Sequence, residues 1–111
     1  MSIPAKIDRQ IWRGTNGPRM IWKMPFDMTG DDWVLTITWN GGSLERRISS
    51  GGLSLDLTNK WVIWPYTADE SRMIPLGNLS VYELERRAAG GEQRVYAYGR
   101  LEGCGGVNTD V

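Results

Sequence analysis

Apolar and polar residues alternate along this chain with a period of two, in short bursts separated by turn residues, which is the signature of half-buried β-strands. The clearest burst is WVLTITW, where Trp33, Leu35, Ile37 and Trp39 take one face and Val34, Thr36 and Thr38 the other. Before it, Arg19 to Phe26 alternates Met20, Trp22 and Met24 against Arg19, Ile21 and Lys23, with Pro25 marking an end or an edge position. After it, Asn40-Gly41-Gly42 accepts the positive φ of a tight hairpin, and Ser43 to Ile48 returns with Leu44 and Ile48 inward. Leu53, Leu55 and Leu57 alternate with Ser54 and Asp56, and Trp61 to Tyr66 is a near-continuous apolar run that suits a central strand. A first strand is expected near Gln10 to Arg13, after an extended arm carrying Ile3 and Ile7.

The most legible stretch is Thr67 to Leu101. Thr67 followed by Glu70 forms a capping-box pattern, so Ala68 to Met73 is expected to make one short helical turn. Pro75 stops it, and Gly77 permits the sharp re-entry into a strand. Two long arms then alternate around a turn inside Ala88 to Gln93, with Leu84 expected opposite Ala97 and Tyr82 opposite Gly99. Glu83 and Glu85 are expected to meet Tyr98 and Tyr96 on the outer face. The expected architecture is all-β: an antiparallel sandwich of about seven short strands with one helical turn near 68–73. It forms a single domain over 1–111, with an N-terminal arm of about 1–9 and a C-terminal tail of about 102–111.

Composition narrows the chemistry. Thirteen basic residues balance 13 acidic ones, so no strong field points to nucleic acid or an anionic membrane. Histidine is absent, which removes the commonest general base and metal ligand together. Cys104 is the one cysteine, set in a glycine-rich stretch where an incidental thiol is the better reading than a nucleophile. There is no phosphate-binding glycine loop and no metal-ligand spacing, so no catalytic residue, cofactor, metal or small-molecule substrate is assigned. The start of the chain lacks the apolar run of a signal peptide, and no segment reaches the length of a membrane span.

Carboxylate pairs are the remaining route to catalysis. Asp31-Asp32 falls in a loop, and Glu83/Glu85 shares a strand face where a solvated, arginine-paired role is the stronger reading. Leu44-Glu45-Arg46-Arg47 is echoed by Leu84-Glu85-Arg86-Arg87, each running into a Gly-Gly pair, as expected of charged hairpin arms that protect sheet edges. The six tryptophans exceed what a core of this size holds centrally. Trp33, Trp39 and Trp61 sit well for burial. Trp12, Trp22 and Trp64, with Arg13, Arg46, Arg47, Arg86 and Arg87, are the candidate interface residues, since Trp and Arg anchor protein–protein contacts. The alternative use of exposed tryptophans is carbohydrate binding.

Laid out in order, the punctuation of the chain resembles a family of small phage-encoded Ig-like β-sandwich proteins. It is similar to the N-terminal domain of siphophage upper baseplate proteins and to related neck, tail and fibre-attachment modules. The matching pieces are Trp12-Arg13-Gly14, Phe26-Asp27-Met28-Thr29-Gly30, Gly51-Gly52-Leu53, Thr67-Ala68-Asp69-Glu70-Ser71, Leu76-Gly77 leading to Tyr82-Glu83-Leu84, and Tyr98-Gly99-Arg100-Leu101. The resemblance implies an Ig-like sandwich and a non-enzymatic virion subunit, assembled in the host bacterial cytoplasm. Its partners would be other phage structural proteins in a symmetric multi-copy assembly. Family members often continue into a shaft or receptor-binding region, whereas this sequence stops at Val111, so an adaptor or decoration subunit is expected over a receptor binder.

Overall fold

The structure, a computed structural model, describes residues 4–105. The strands are β1 (Ala5–Lys6), β2 (Arg9–Trp12), β3 (Met20–Lys23), β4 (Asp32–Trp39), β5 (Gly42–Arg47), β6 (Ser54–Asp56), β7 (Trp61–Trp64), β8 (Gly77–Arg87) and β9 (Gln93–Cys104), and all but β1, which falls in the expected arm, lie where alternation puts them. One helix, α1 (Ala68–Met73), stands between β7 and β8. Its capping box is formed, with Thr67 Oγ1 accepting from the Glu70 N–H and the Glu70 carboxylate accepting from the Thr67 N–H.

Two sheets stack. The smaller has the order β3-β7-β6; the larger runs β1-β9-β8-β4-β5, with β2 continuing the β1 edge against β9. The chain crosses between the sheets at β2–β3, β3–β4, β5–β6 and β7–β8, and hairpin or edge connections join the other consecutive strands within one sheet, as in an Ig-like sandwich. Fold class therefore follows from the strand order: an all-β, Ig-like sandwich.

Four expectations need correction. The N-terminal arm carries a strand of its own, Ala5–Lys6, which pairs with β9 as the expected first strand Arg9–Trp12 does, and these pairings are parallel in an otherwise antiparallel sheet. With this split edge the described residues hold nine strands where about seven were expected. The tail does not begin at 102, since β9 continues through Cys104; Ile3 and residues 106–111 lie outside the described residues. Finally, Tyr82 pairs with Gly99 and Leu84 with Ala97, but a bulge then sets Glu85 against Val95. That extra residue turns Tyr96 onto Phe26 and Trp33, at 5.2 and 5.8 Å between ring centroids, where the simple alternation puts it outside.

The core lies between the sheets. Met20, Trp22, Val62 and Trp64 project from β3 and β7 to meet Trp33, Leu35, Ile37, Tyr82, Leu84 and Leu101 from the larger sheet. Two glycines in β9 explain how the edge packs so closely. A Cβ on Gly99 would stand 2.5 Å from the Ile7 carbonyl oxygen, so the bare position makes room for the backbone crossing from β1 to β2. At Gly103 a Cβ would lie 2.8 Å from the Pro75 carbonyl carbon and closer still to its oxygen. There β9 passes between Ile11 on one side and the Leu76–Gly77 entry to β8 on the other.

Candidate docking surfaces

Of the tryptophans and arginines that composition singles out, most are consumed by the fold. Trp22 and Trp64 are buried, which corrects their expected place at an interface, whereas Trp39 and Trp61 are only half-buried. Parity is the reason. Register pairs Trp22 with Val62 and Met20 with Trp64 on the inner face of the smaller sheet, so Trp61 takes the other face, opposite Lys23. The Lys23 ammonium lies 5.8 Å from the Trp61 ring centroid and covers it. Trp39 ends β4 and rests against Gly42, where a Cβ would meet its indole nitrogen at 2.6 Å.

Trp22 joins the two sheets. Its indole N–H donates to the Tyr82 hydroxyl at 3.2 Å, and that hydroxyl donates to the Ile7 carbonyl. Burial pushes the Tyr82 phenol above its ordinary pKa, with the Trp22 hydrogen bond opposing. The Arg9 guanidinium lies 5.2 Å from the Trp22 ring centroid and donates to the Ile21 carbonyl, closing the gap between β2 and β3.

The arginines are similarly engaged. Arg86 bonds Asp31 at 2.6 Å and Glu92 at 3.2 Å while stacking 4.4 Å from the Phe26 ring centroid. Arg46 pairs with Glu70 and ties β5 to the first turn of α1. Arg47 pairs with Glu45, and Arg87 with Glu85, each at 2.8 Å along its own strand. Arg13 donates to the Arg72 carbonyl at 2.9 Å, and the next residue, Gly14, donates to Ser71 Oγ at 2.9 Å, so this segment clamps α1. Trp12 alone of the eight candidates stays well exposed, at 55 %.

Neither carboxylate pair is arranged as an acid and a base. Asp31 belongs to Arg86, and Asp32 accepts from the Ser49 hydroxyl at 2.8 Å and the Ser49 N–H at 3.1 Å. Glu85 is committed to Arg87, while Glu83 stands exposed between Thr36 and Tyr98. Among the described residues no three His, Cys, Asp or Glu side chains gather where a metal ion could be held. Burial, and secondarily Glu102, push the Cys104 thiol up, which keeps it protonated and weakly nucleophilic at neutral pH. No helix of the described residues is long and apolar enough to cross a membrane.

Apart from Leu57, which follows β6, the exposed large apolar groups of the described residues fall on two surfaces. One is the end of the sandwich where β2 and β9 finish and α1 hands over to β8. It exposes Trp12, Met73, Leu76 and Leu79. The register puts Trp12 beside Cys104 and Leu76 beside Gly103, so these side chains flank the end of β9. The other is the outer face of the larger sheet, where Val81 and Tyr98 are 47 % and 40 % exposed in a shallow depression bordered by Lys6, Thr36, Thr38, Glu83 and Arg100. Sequence reasoning placed Tyr98 on the outer face opposite Glu83, as observed, but did not single out Val81, although its parity, shared with Glu83, already places it outside.

Comparison with protein-family models gives no match, and comparison with curated proteins gives none. Among solved structures, extracellular domains 3-5 of Drosophila OTK are similar to this chain at 14 % identity and a TM-score of 0.38, across 86 % of this chain. The chain spans 32 % of that structure's length.

Proposed function

We propose that this protein is a non-enzymatic docking subunit of a tailed-phage or prophage-derived particle, held at neck, tail or baseplate by contacts with other structural proteins. The observation that carries the docking part is the apolar end built on Trp12, Met73, Leu76 and Leu79. Four large apolar side chains at one end of a domain this small are the composition of a contact surface, with the indole as its anchor. The clamp of Arg13 and Gly14 on α1 fixes the backbone next to Trp12 before any partner arrives, which lowers the ordering cost of association. The particle itself is supported by the resemblance in strand-and-turn punctuation described above. Sugar stacking is the weaker use of this surface: a platform needs neighbouring indole faces, and Trp61, the other partly exposed ring outside β4, is covered by Lys23.

The test is incorporation. Mass spectrometry of purified particles should detect the wild-type chain at stoichiometric copy number. Trp12→Ala together with Leu76→Ser should abolish its incorporation while leaving the thermal unfolding midpoint of the isolated protein within a few degrees. Absence of the wild-type chain from particles, or full incorporation of the double variant, overturns the proposal.

A further inference from the structure

The second apolar surface has a charge arrangement that matches a copy of itself. On the outer face of the larger sheet, register places Tyr98 beside Glu83 and Arg100 beside Val81, giving a two-by-two block. One diagonal of the block is apolar, Tyr98 and Val81. The other carries opposite charges, Glu83 and Arg100. All four side chains are exposed.

We infer that this face is a self-complementary interface through which two copies of the chain form an isologous dimer. A two-fold axis lying along the Tyr98–Val81 diagonal sets each of those side chains against its own counterpart. The same operation carries Arg100 of one copy onto Glu83 of the other, and the reverse pair forms by symmetry. It also brings Lys6, which neighbours Tyr98 on the β1 side, toward Glu85 of the second copy. Around the block the cations Lys6 and Arg100 lie on β1 and β9 and the carboxylates Glu83 and Glu85 on β8, so the rotation sets unlike charges against each other there; farther out, Glu85 is also held by Arg87 and Glu102 by Gln10. Glu45 and Arg47 pair with each other on β5 and remain at the rim.

Area is consistent with this occupant. The four longer strands, β9, β8, β4 and β5, about 4.8 Å apart over roughly eight residues at about 3.4 Å each, give a face of about 500 Å². Two such faces cover about 1,000 Å², about the least that a specific interface needs. The pairing is expected to be reversible and sensitive to salt, because its charged pairs sit around a small apolar centre. Leu79, two residues before Val81 on β8, brings this surface up to the Trp12 end, but the two proposals are tested by different substitutions and different readouts, so failure of one leaves the other standing.

A charge exchange tests the geometry, read by sedimentation velocity over a concentration series of the full chain. Wild type should reach a dimer, and raising the salt should weaken it. Glu83→Arg and Arg100→Glu should each weaken self-association by about tenfold or more, because each places like charges across the axis. Mixing the two variants should restore a dimer, since every cross-axis pair then joins opposite charges. Val81→Asp, which sets a carboxylate against its own counterpart on the axis and beside Arg100, should give a monomer that cannot be rescued by mixing. Far-UV circular dichroism confirms that each variant is folded, and if a charge variant is not, wild type and Val81→Asp decide alone. A wild type that stays monomeric throughout, a dimer indifferent to these substitutions, or folded single variants whose mixture stays monomeric overturns the inference.

Discussion

Removing one oxygen atom from the core, Tyr82→Phe, measures how the two sheets are joined. Tyr82 on β8 and Trp22 on β3 come from opposite sheets, with ring centroids 5.6 Å apart and both residues buried. The hydroxyl accepts from the Trp22 indole N–H at 3.2 Å and donates to the Ile7 carbonyl. Ring shape is unchanged by the substitution, so the packing contribution is small and the polar contribution dominates. Loss of the bonds forfeits about 1 kcal/mol, and a buried indole N–H left without a partner costs a further 1–3 kcal/mol. Ile7 is half-buried, so water can partly replace the phenol at its carbonyl. The expected destabilisation is therefore about 2–3 kcal/mol, or roughly 8–12 °C in melting temperature for a domain of this size.

Urea unfolding followed by far-UV circular dichroism provides the measurement, with Trp22→Phe and the double variant completing a cycle. Trp22→Phe leaves a cavity and is expected to cost about 2–4 kcal/mol. The coupling between the two residues should be about 1–2 kcal/mol, because the orphaned N–H exists only when Trp22 is present without the phenol. A Tyr82→Phe variant within about 0.5 kcal/mol of wild type, or costs that simply add, would refute the reasoning. In that case the indole N–H is satisfied some other way and the aromatic contact alone joins the sheets.

Two further outcomes follow from the same structure. Gly103→Ala should destabilise by at least about 1–3 kcal/mol, since its Cβ would collide with the backbone of Pro75, which cannot rotate away as a side chain does; Gly90→Ala, with open space around its Cβ, is the control expected to melt like wild type. For pH, partial burial works to raise the Asp32 pKa, but hydrogen bonds from the Ser49 hydroxyl and from the Ser49 and Trp33 N–H groups outweigh it and hold the carboxyl below 3.8. The unfolded chain then binds this proton first, so the stabilisation is complete above that unfolded value and disappears as pH falls through the lower folded one. Ser49→Ala should flatten this acid limb in urea titrations between about pH 5 and 2, and an unaltered limb would count against Asp32 as its source.

The comparison of sequence with structure turns on what side-chain parity can and cannot report. Alternation located the strands, and the Thr67 cap, Pro75 and Gly77 located the helix and the re-entry, because these are local preferences that tertiary packing left intact. Tyr82 opposite Gly99 was legible from the hairpin alone, yet its reason was not: Gly99 is bare to admit the Ile7 backbone from a segment more than 90 residues away in sequence. The parallel pairing of β1 and β2 with β9 leaves no mark in either strand's pattern, since short edge strands alternate too weakly to declare a partner.

Parity within β7 could not pick out its inward indole. WVIW is apolar throughout, so its pattern did not choose between Trp61 and Trp64; only the register with β3, Met20 against Trp64 and Lys23 against Trp61, settles which indole faces the core. The same reasoning applied to β8 and β9 has the opposite consequence. There the alternation is clean, and Val81 and Tyr98 fall among Glu83, Glu85 and Arg100 on the outer face. An apolar residue on a charged face is a departure from the local rule that the core does not explain. Such departures are where a domain without catalytic groups carries its specificity, and here the two lie on one diagonal of a block whose other diagonal is a pair of opposite charges.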